Sequence, residues 1–164
     1  MGTIAKSIQT LLSAGDPEQP VTISPEKSRR PASDDSARRE LVPPADLSRM
    51  ELAIALHEAL GTEIVGSSTS AFAFLNPETD TLVIVSENDK KFIHVSFGDW
   101  ISYYAMDIAQ DESAAFIVQG DKVICSIHGI TESGDSFGEA AMRALLAQRR
   151  AELAADRAKG CGVR

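Results

Sequence analysis

Apolar residues first recur at helical spacing in residues 3–13 (TIAKSIQTLLS), where Ile4, Ile8, Leu11 and Leu12 stand at i, i+4, i+7 and i+8. That stripe predicts a short amphipathic helix within residues 1–15, ended by Gly15-Asp16-Pro17. A helix of this length is marginal alone in water, because nucleation is unfavourable and few hydrogen bonds follow it. It needs a surface to lie on, either its own domain or a partner, and its four apolar residues are the candidate partner-binding set. The periodicity then stops: residues 16–46 carry Pro17, Pro20, Pro25, Pro31, Pro43 and Pro44 among Ser, Asp, Glu and Arg, with no aromatic residue. Such a composition buries too little apolar area to offset its ordering entropy and predicts a flexible linker. Within it, Val21-Thr22-Ile23 has the character of a strand that could add to a sheet edge.

Regular patterning resumes as a domain over residues 47–159, followed by a short tail, 160–164. Ser48-Arg49-Met50-Glu51 is a capping box opening a helix to about Leu60. Met50, Leu52, Ile54, Leu56 and Leu60 give it an apolar surface, and Gly61 suits the left-handed residue that stops it. β-Branched and aromatic runs follow at 63–65, 71–75, 81–86 and 92–97, and their turn-rich connectors predict antiparallel neighbours. Asp99 is positioned to cap a second helix over 100–109, with Trp100, Tyr104 and Ile108 on one stripe. Strands at 114–119 and 122–130 flank Gly120-Asp121, a two-residue hairpin loop. In the second, Val123, Cys125 and Ile127 share one face, and Ile124, Ser126 and His128 the other. A second capping box, Ser136-Phe137-Gly138-Glu139, opens the last helix, whose expected buried stripe is Met142, Leu145, Leu146 and Leu153. The predicted fold is α+β, a largely antiparallel sheet of five to six strands covered by helices mainly on one face.

Charge narrows the choice of partners. Residues 47–135 hold 14 Asp or Glu against 4 Lys or Arg, whereas residues 139–164 hold 3 against 6. An acidic body repels phosphate backbones, so direct nucleic-acid binding is not expected, although an acidic surface could occupy a basic site on another protein. No segment approaches the ~18 successive apolar residues of a membrane span. Cys125 and Cys161 lack metal-ligand spacing and an evident disulfide partnership, which fits a reducing cytoplasm. A protein partner is therefore expected, with no membrane, no cofactor and no metal, and homo-oligomers left open.

Motifs for chemistry are present in fragments. Gly134-Asp135-Ser136-Phe137-Gly138 matches G-x-S-x-G between a strand and a helix, as a nucleophile elbow requires. In hydrolases that use the elbow the base histidine follows the serine, whereas His57, His94 and His128 all precede Ser136. Ser136 is instead read as an N-cap. His57-Glu58 is half of H-E-x-x-H with Gly61 in place of the second histidine, so His57 reads as a surface histidine. Asp107, Asp111 and Glu112 could converge on a divalent cation, but read as solvated acids. No catalytic residue is assigned and the chain is not expected to be an enzyme.

From Phe116 to Leu146 the sequence, including SIHGITESGDSFGEAAMRAL at 126–145, resembles the strand, turn and Glu-Ala helix of HicB-type antitoxin domains. Its ending, EAAMRAL, is also similar to that of small phage-encoded α+β accessory proteins. The first resemblance implies binding to a small toxin protein, and the second a phage or plasmid origin. Three readings follow: an adaptor or regulator using the tethered helix and acidic domain, a phage- or plasmid-encoded inhibitor acting through its acidic surface, or a structural subunit with an ordered N-terminal arm.

Overall fold

A computed structural model describes residues 42–76, 78–87 and 94–160. The chain enters through a 3-10 turn, Pro44–Asp46, and Leu47 is already buried. Arg150 Nη1 donates to the Val42 carbonyl at 2.6 Å, so the last residues of the predicted linker pack on the body. Helix α1, Arg49–Ala59, starts on the predicted box: Ser48 Oγ accepts from the Glu51 amide, and the Glu51 carboxylate accepts from the Ser48 amide at 3.0 Å. Gly61, at φ 81°, ends it, as its amide donates to Glu58 and that of Thr62 to His57. These two bonds satisfy carbonyls that a helix end otherwise leaves open.

Strands β1 (Glu63–Ser67), β2 (Ala71–Asn76), β3 (Thr81–Ser86) and β4 (His94–Ser96) form one sheet in that order. Strands β5 (Ala115–Gln119), β6 (Lys122–Ile127) and β7 (Ile130–Gly134) form a second. The architecture is α+β, but the single sheet of five to six strands is corrected to two separate sheets. Helical segment α2, residues 97–111, lies between them in sequence, and α3, Phe137–Gly160, lies over β6 and β7 while also packing on α1 and α2. Helices thus form the common layer, and one cluster, including Leu52, Leu56, Phe72, Trp100, Ile127, Met142 and Leu145, runs through both halves.

Two strand expectations fail for identifiable reasons. The pair β3–β4 is parallel, with Ile84 opposite His94 and Ser86 opposite Ser96. A short connection permits this because the chain need only fall back from Ser86 to the level of Ile84, about 7 Å at the usual strand rise. The strand expected over 122–130 is a hairpin. His128 and Gly129, at φ 49° and 85°, form a two-residue turn of the mirror-image type that matches strand twist, and β7 follows.

Segment α2 runs as α-helix over Phe97–Trp100, π-helix over Ile101–Ala105 and α-helix over Met106–Asp111. Its cap is Ser96, whose Oγ accepts from the Asp99 amide at 3.1 Å, so Asp99 is the third residue of the helix rather than its cap. The π-turn lies where α3 begins. A Cβ on Gly138 would meet Ile101 Cγ2 at 1.5 Å, so only glycine lets the two helices approach this closely. Beyond Arg150, α3 leaves the body, and residues 151–159 are all exposed. Leu153, expected in the buried stripe, is 44% exposed.

Candidate functional site

The serine of the G-x-S-x-G stretch is committed to the backbone. Ser136 Oγ accepts from the Glu139 amide at 3.2 Å, and Glu139 Oε2 accepts from the Asp135 amide at 2.8 Å, closing the cap one residue before the expected position. Buried Glu139 is held further by Arg143, which also donates to the Ser133 carbonyl. Both motif glycines are packing residues. A Cβ on Gly134 would lie 2.6 Å from the Ala140 nitrogen, and Gly138 faces Ile101 as described. A strand-to-helix corner with two close backbone approaches therefore accounts for every residue type that makes the motif.

His57 is not on the surface: it is fully buried, which corrects the sequence reading. Its ring stacks on Tyr104 at 4.8 Å and 8°, and lies 4.1 Å from Phe74, 5.3 Å from Phe72 and 5.3 Å from Trp100. Neither ring nitrogen has a hydrogen-bond partner, and burial pushes the imidazole down to about 3, so the ring is neutral. It is an aromatic member of the core between α1, β2 and α2. The Cys125 thiol, also fully buried, is pushed up to about 11 by the same desolvation, which keeps it in the unreactive thiol form.

Of the acids considered for a cation, Glu112 is turned to other partners. Its Oε2 lies 2.8 Å from His128 Nε2, and its Oε1 accepts from Arg149 Nη2 at 3.0 Å. The His128 hydrogen bond, ahead of one from Gln148, holds this carboxyl below the usual range. Arg149 also donates to Glu152 at 2.8 Å, and Gln148 Nε2 to Glu152 at 3.0 Å. Glu112, His128, Gln148 and Glu152 edge a shallow hollow of about 440 Å³ with Ile130, Ala151 and Ala155. The arrangement straps the end of α2 and the β6–β7 turn to α3. Among the described residues, no group of three or more His, Cys, Asp or Glu is placed to hold a metal ion, and no helix is long and apolar enough to cross a membrane.

The surface least explained by packing is strand β5. Its sequence, AFIVQ, has no charge, and it lies at the edge of its sheet. Ile117 is 62% and Val118 63% exposed, although adjacent strand residues point to opposite faces, so both faces are open. Val118 pairs with Val123 and Phe116 with Cys125, both buried, so these two side chains face the helix layer. Helix α3 covers β6 and β7 instead, and β5 overhangs it. Phe137, 46% exposed, stands 5.6 Å from Phe116 and extends the apolar shelf.

The other edges carry protection that β5 lacks. Strand β1 has a bulge between Ile64 and Gly66, and β4 has three residues. β7 bears Glu132 and packs against α3 and the Pro44–Asp46 turn. The sequence shows β5 as a strand but not as an edge, since edge position depends on the order of strands. The signal within reach was a hairpin arm without charge and with apolar residues on both faces. The stripe Ile4, Ile8, Leu11 and Leu12 lies outside the described residues. Compared with family models, curated proteins and solved structures, the chain matches none.

Proposed function

We propose that this chain is a non-enzymatic protein-interaction protein, an adaptor or regulator, with two binding elements: the β5 edge of the acidic domain and the apolar stripe Ile4, Ile8, Leu11 and Leu12. The observation that carries the reading is the open, uncharged edge with Phe116, Ile117, Val118 and Phe137 beside it. An edge of this kind presents unpaired N–H and C=O groups, and a partner segment gains main-chain hydrogen bonds there and specificity from alternate side chains. The stripe would add a second contact at raised effective concentration. Against catalysis, Ser136 caps a helix, His57 is sealed among aromatic rings and Cys125 is a buried thiol.

Affinity capture from the native host with the intact chain, Val118→Lys, and Ile8→Asp combined with Leu11→Asp tests this. A partner held by the wild type and lost with Val118→Lys places binding at the edge; loss with the double variant, at unchanged melting temperature, places it at the stripe. Retention by both variants overturns the proposal. A second reading rests on the 14 to 4 charge excess of residues 47–135: an inhibitor of a host or toxin protein, of phage or plasmid origin as the EAAMRAL ending suggests. Binding through an acidic surface weakens steeply with salt, whereas apolar docking does not.

A further inference from the structure

We infer that the β5 edge pairs with the β5 edge of a second copy of this chain, antiparallel about a two-fold axis at Ile117, joining two three-stranded sheets into one. The inference rests on the proposed reading of β5 as a docking edge and names an occupant for it. The Gly120-Asp121 loop is closed by the Gln119–Lys122 pair, so Gln119, Ile117 and Ala115 exchange hydrogen bonds with β6. The N–H and C=O groups of Phe116 and Val118 therefore point outward. With Ile117 on the axis, Phe116 faces Val118 of the second copy and Val118 faces its Phe116, so every one of these outward groups finds a partner. Neighbouring registers do worse. An axis at Phe116 sets Val118 against Ala114, whose amide already donates to Ala109 at 2.8 Å. An axis at Val118 sets Phe116 against Gly120, which has left the strand at φ 65°.

The side chains suit the same register. A two-fold axis normal to the sheet keeps Phe116 and Val118 of both copies on the helix side. On the other face Ile117 meets Ile117 of the second copy directly, in the closer, non-hydrogen-bonded kind of pair. Charge favours a second copy along this strip in particular. Each chain carries a formal net charge of −8, yet β5, AFIVQ, holds no acid, so two acidic domains can join here without like charges set opposite one another across the ladder. Area sets the strength. Ile117, Val118 and Phe137 are 62%, 63% and 46% exposed, and Ala115 and Gln119 are exposed too. Together with the strand backbone they offer roughly 500 Å² per copy, about 1,000 Å² for the pair, which is the lower end of specific interfaces. A weak, reversible dimer follows, from which a partner strand could displace the second copy.

Sedimentation of the intact chain over roughly 1 to 200 µM tests the inference. The wild-type mass is expected to rise towards twice that of the monomer, and more readily at about 0.5 M than at about 0.05 M salt, because screening relieves the repulsion between acidic domains. Ile117→Lys sets like charges opposite each other across the axis and should stay monomeric with an unchanged circular dichroism spectrum. In a Cys161→Ser background, Ile117→Cys should cross-link on mild oxidation at least ~10-fold faster than Gln119→Cys. The axis brings the first within disulfide reach of its copy and holds the second roughly 13 Å away. Cross-linking decides the matter should the lysine variant misfold. A wild type that remains monomeric overturns the inference, whether its edge is free or covered by Val21-Thr22-Ile23, a segment outside the described residues. So does a dimer indifferent to Ile117→Lys, a dimer that weakens as salt rises, or cross-linking at equal rates. A monomeric wild type leaves a partner captured through Val118 standing, whereas a dimer lost with Ile117→Lys beside a captured partner indifferent to Val118→Lys keeps this inference and removes that reading.

Discussion

At the scale of single residues, the interior of this protein turns on atoms whose positions no local pattern announces. His57 titrates normally near 6.5 but only at about 3 in the folded state, because its aromatic surroundings desolvate the cation. Above pH 6.5 both states are neutral and the residue adds no pH dependence. As pH falls from 6.5 towards 3, the unfolded chain binds a proton that the folded one refuses, so stability declines, with a limiting slope of about 1.4 kcal/mol per pH unit. His57→Leu also removes two buried, unpartnered nitrogens. Urea unfolding should place it within about 1 kcal/mol of wild type at pH 7.5 and above wild type at pH 5. Parallel pH profiles for the two proteins would contradict this account. Gly138 makes the complementary steric case. Gly138→Ala should cost about 3 kcal/mol by overpacking against Ile101, and adding Ile101→Ala should return part of that loss, a coupling measured by a double-mutant cycle. Additive effects would show that the clash is relieved elsewhere. The sequence displayed His57 only as half of a zinc motif, and Gly138 only as half of an elbow.

At the scale of elements, several local signals marked the ends of helices and hairpins, although the cap expected at Asp99 is Ser96 and the Glu139 arm of the second box closes on Asp135. The capping boxes at Ser48 and Ser136, the Gly61 stop and the Gly120-Asp121 loop each depend on residues within a few positions of one another. The π-turn at 101–105, the parallel β3–β4 pair and the open β5 edge depend on distant packing; the sequence was silent on the first and the last, and its turn-rich connectors pointed to an antiparallel pair where the second is parallel. The β6–β7 turn lies between: His128 continues the alternation of the strand before it, which hid the turn, although Gly129 marked its second position. Two substitutions test the element ends. Ser113 stands at φ 57° just after α2, with its amide donating to Gln110 and that of Ala114 to Ala109. Ser113→Gly should therefore stabilise the protein by about 0.5–1 kcal/mol in thermal unfolding. Ser136→Ala should cost about 1 kcal/mol and Ser136→Asp much less, since a carboxylate also caps; equal losses would detach the serine from that role.

At the scale of the whole molecule, two small sheets share one helical layer, and the longest helix outruns the body it supports. Because residues 151–159 are exposed, ending the chain after Leu153 should lower the melting temperature by no more than about 2 °C. A larger drop would mean that the projecting turns pack on something after all. The shared core has a further consequence through Cys125, which is sealed at 0% exposure on β6, under α3. Its sulfur can meet an alkylating reagent only when the helical layer lifts from the second sheet. In a Cys161→Ser background, the labelling rate of Cys125 would therefore serve as a chemical clock for that parting. Labelling much faster than global unfolding would show the second sheet detaching while the rest of the fold holds together.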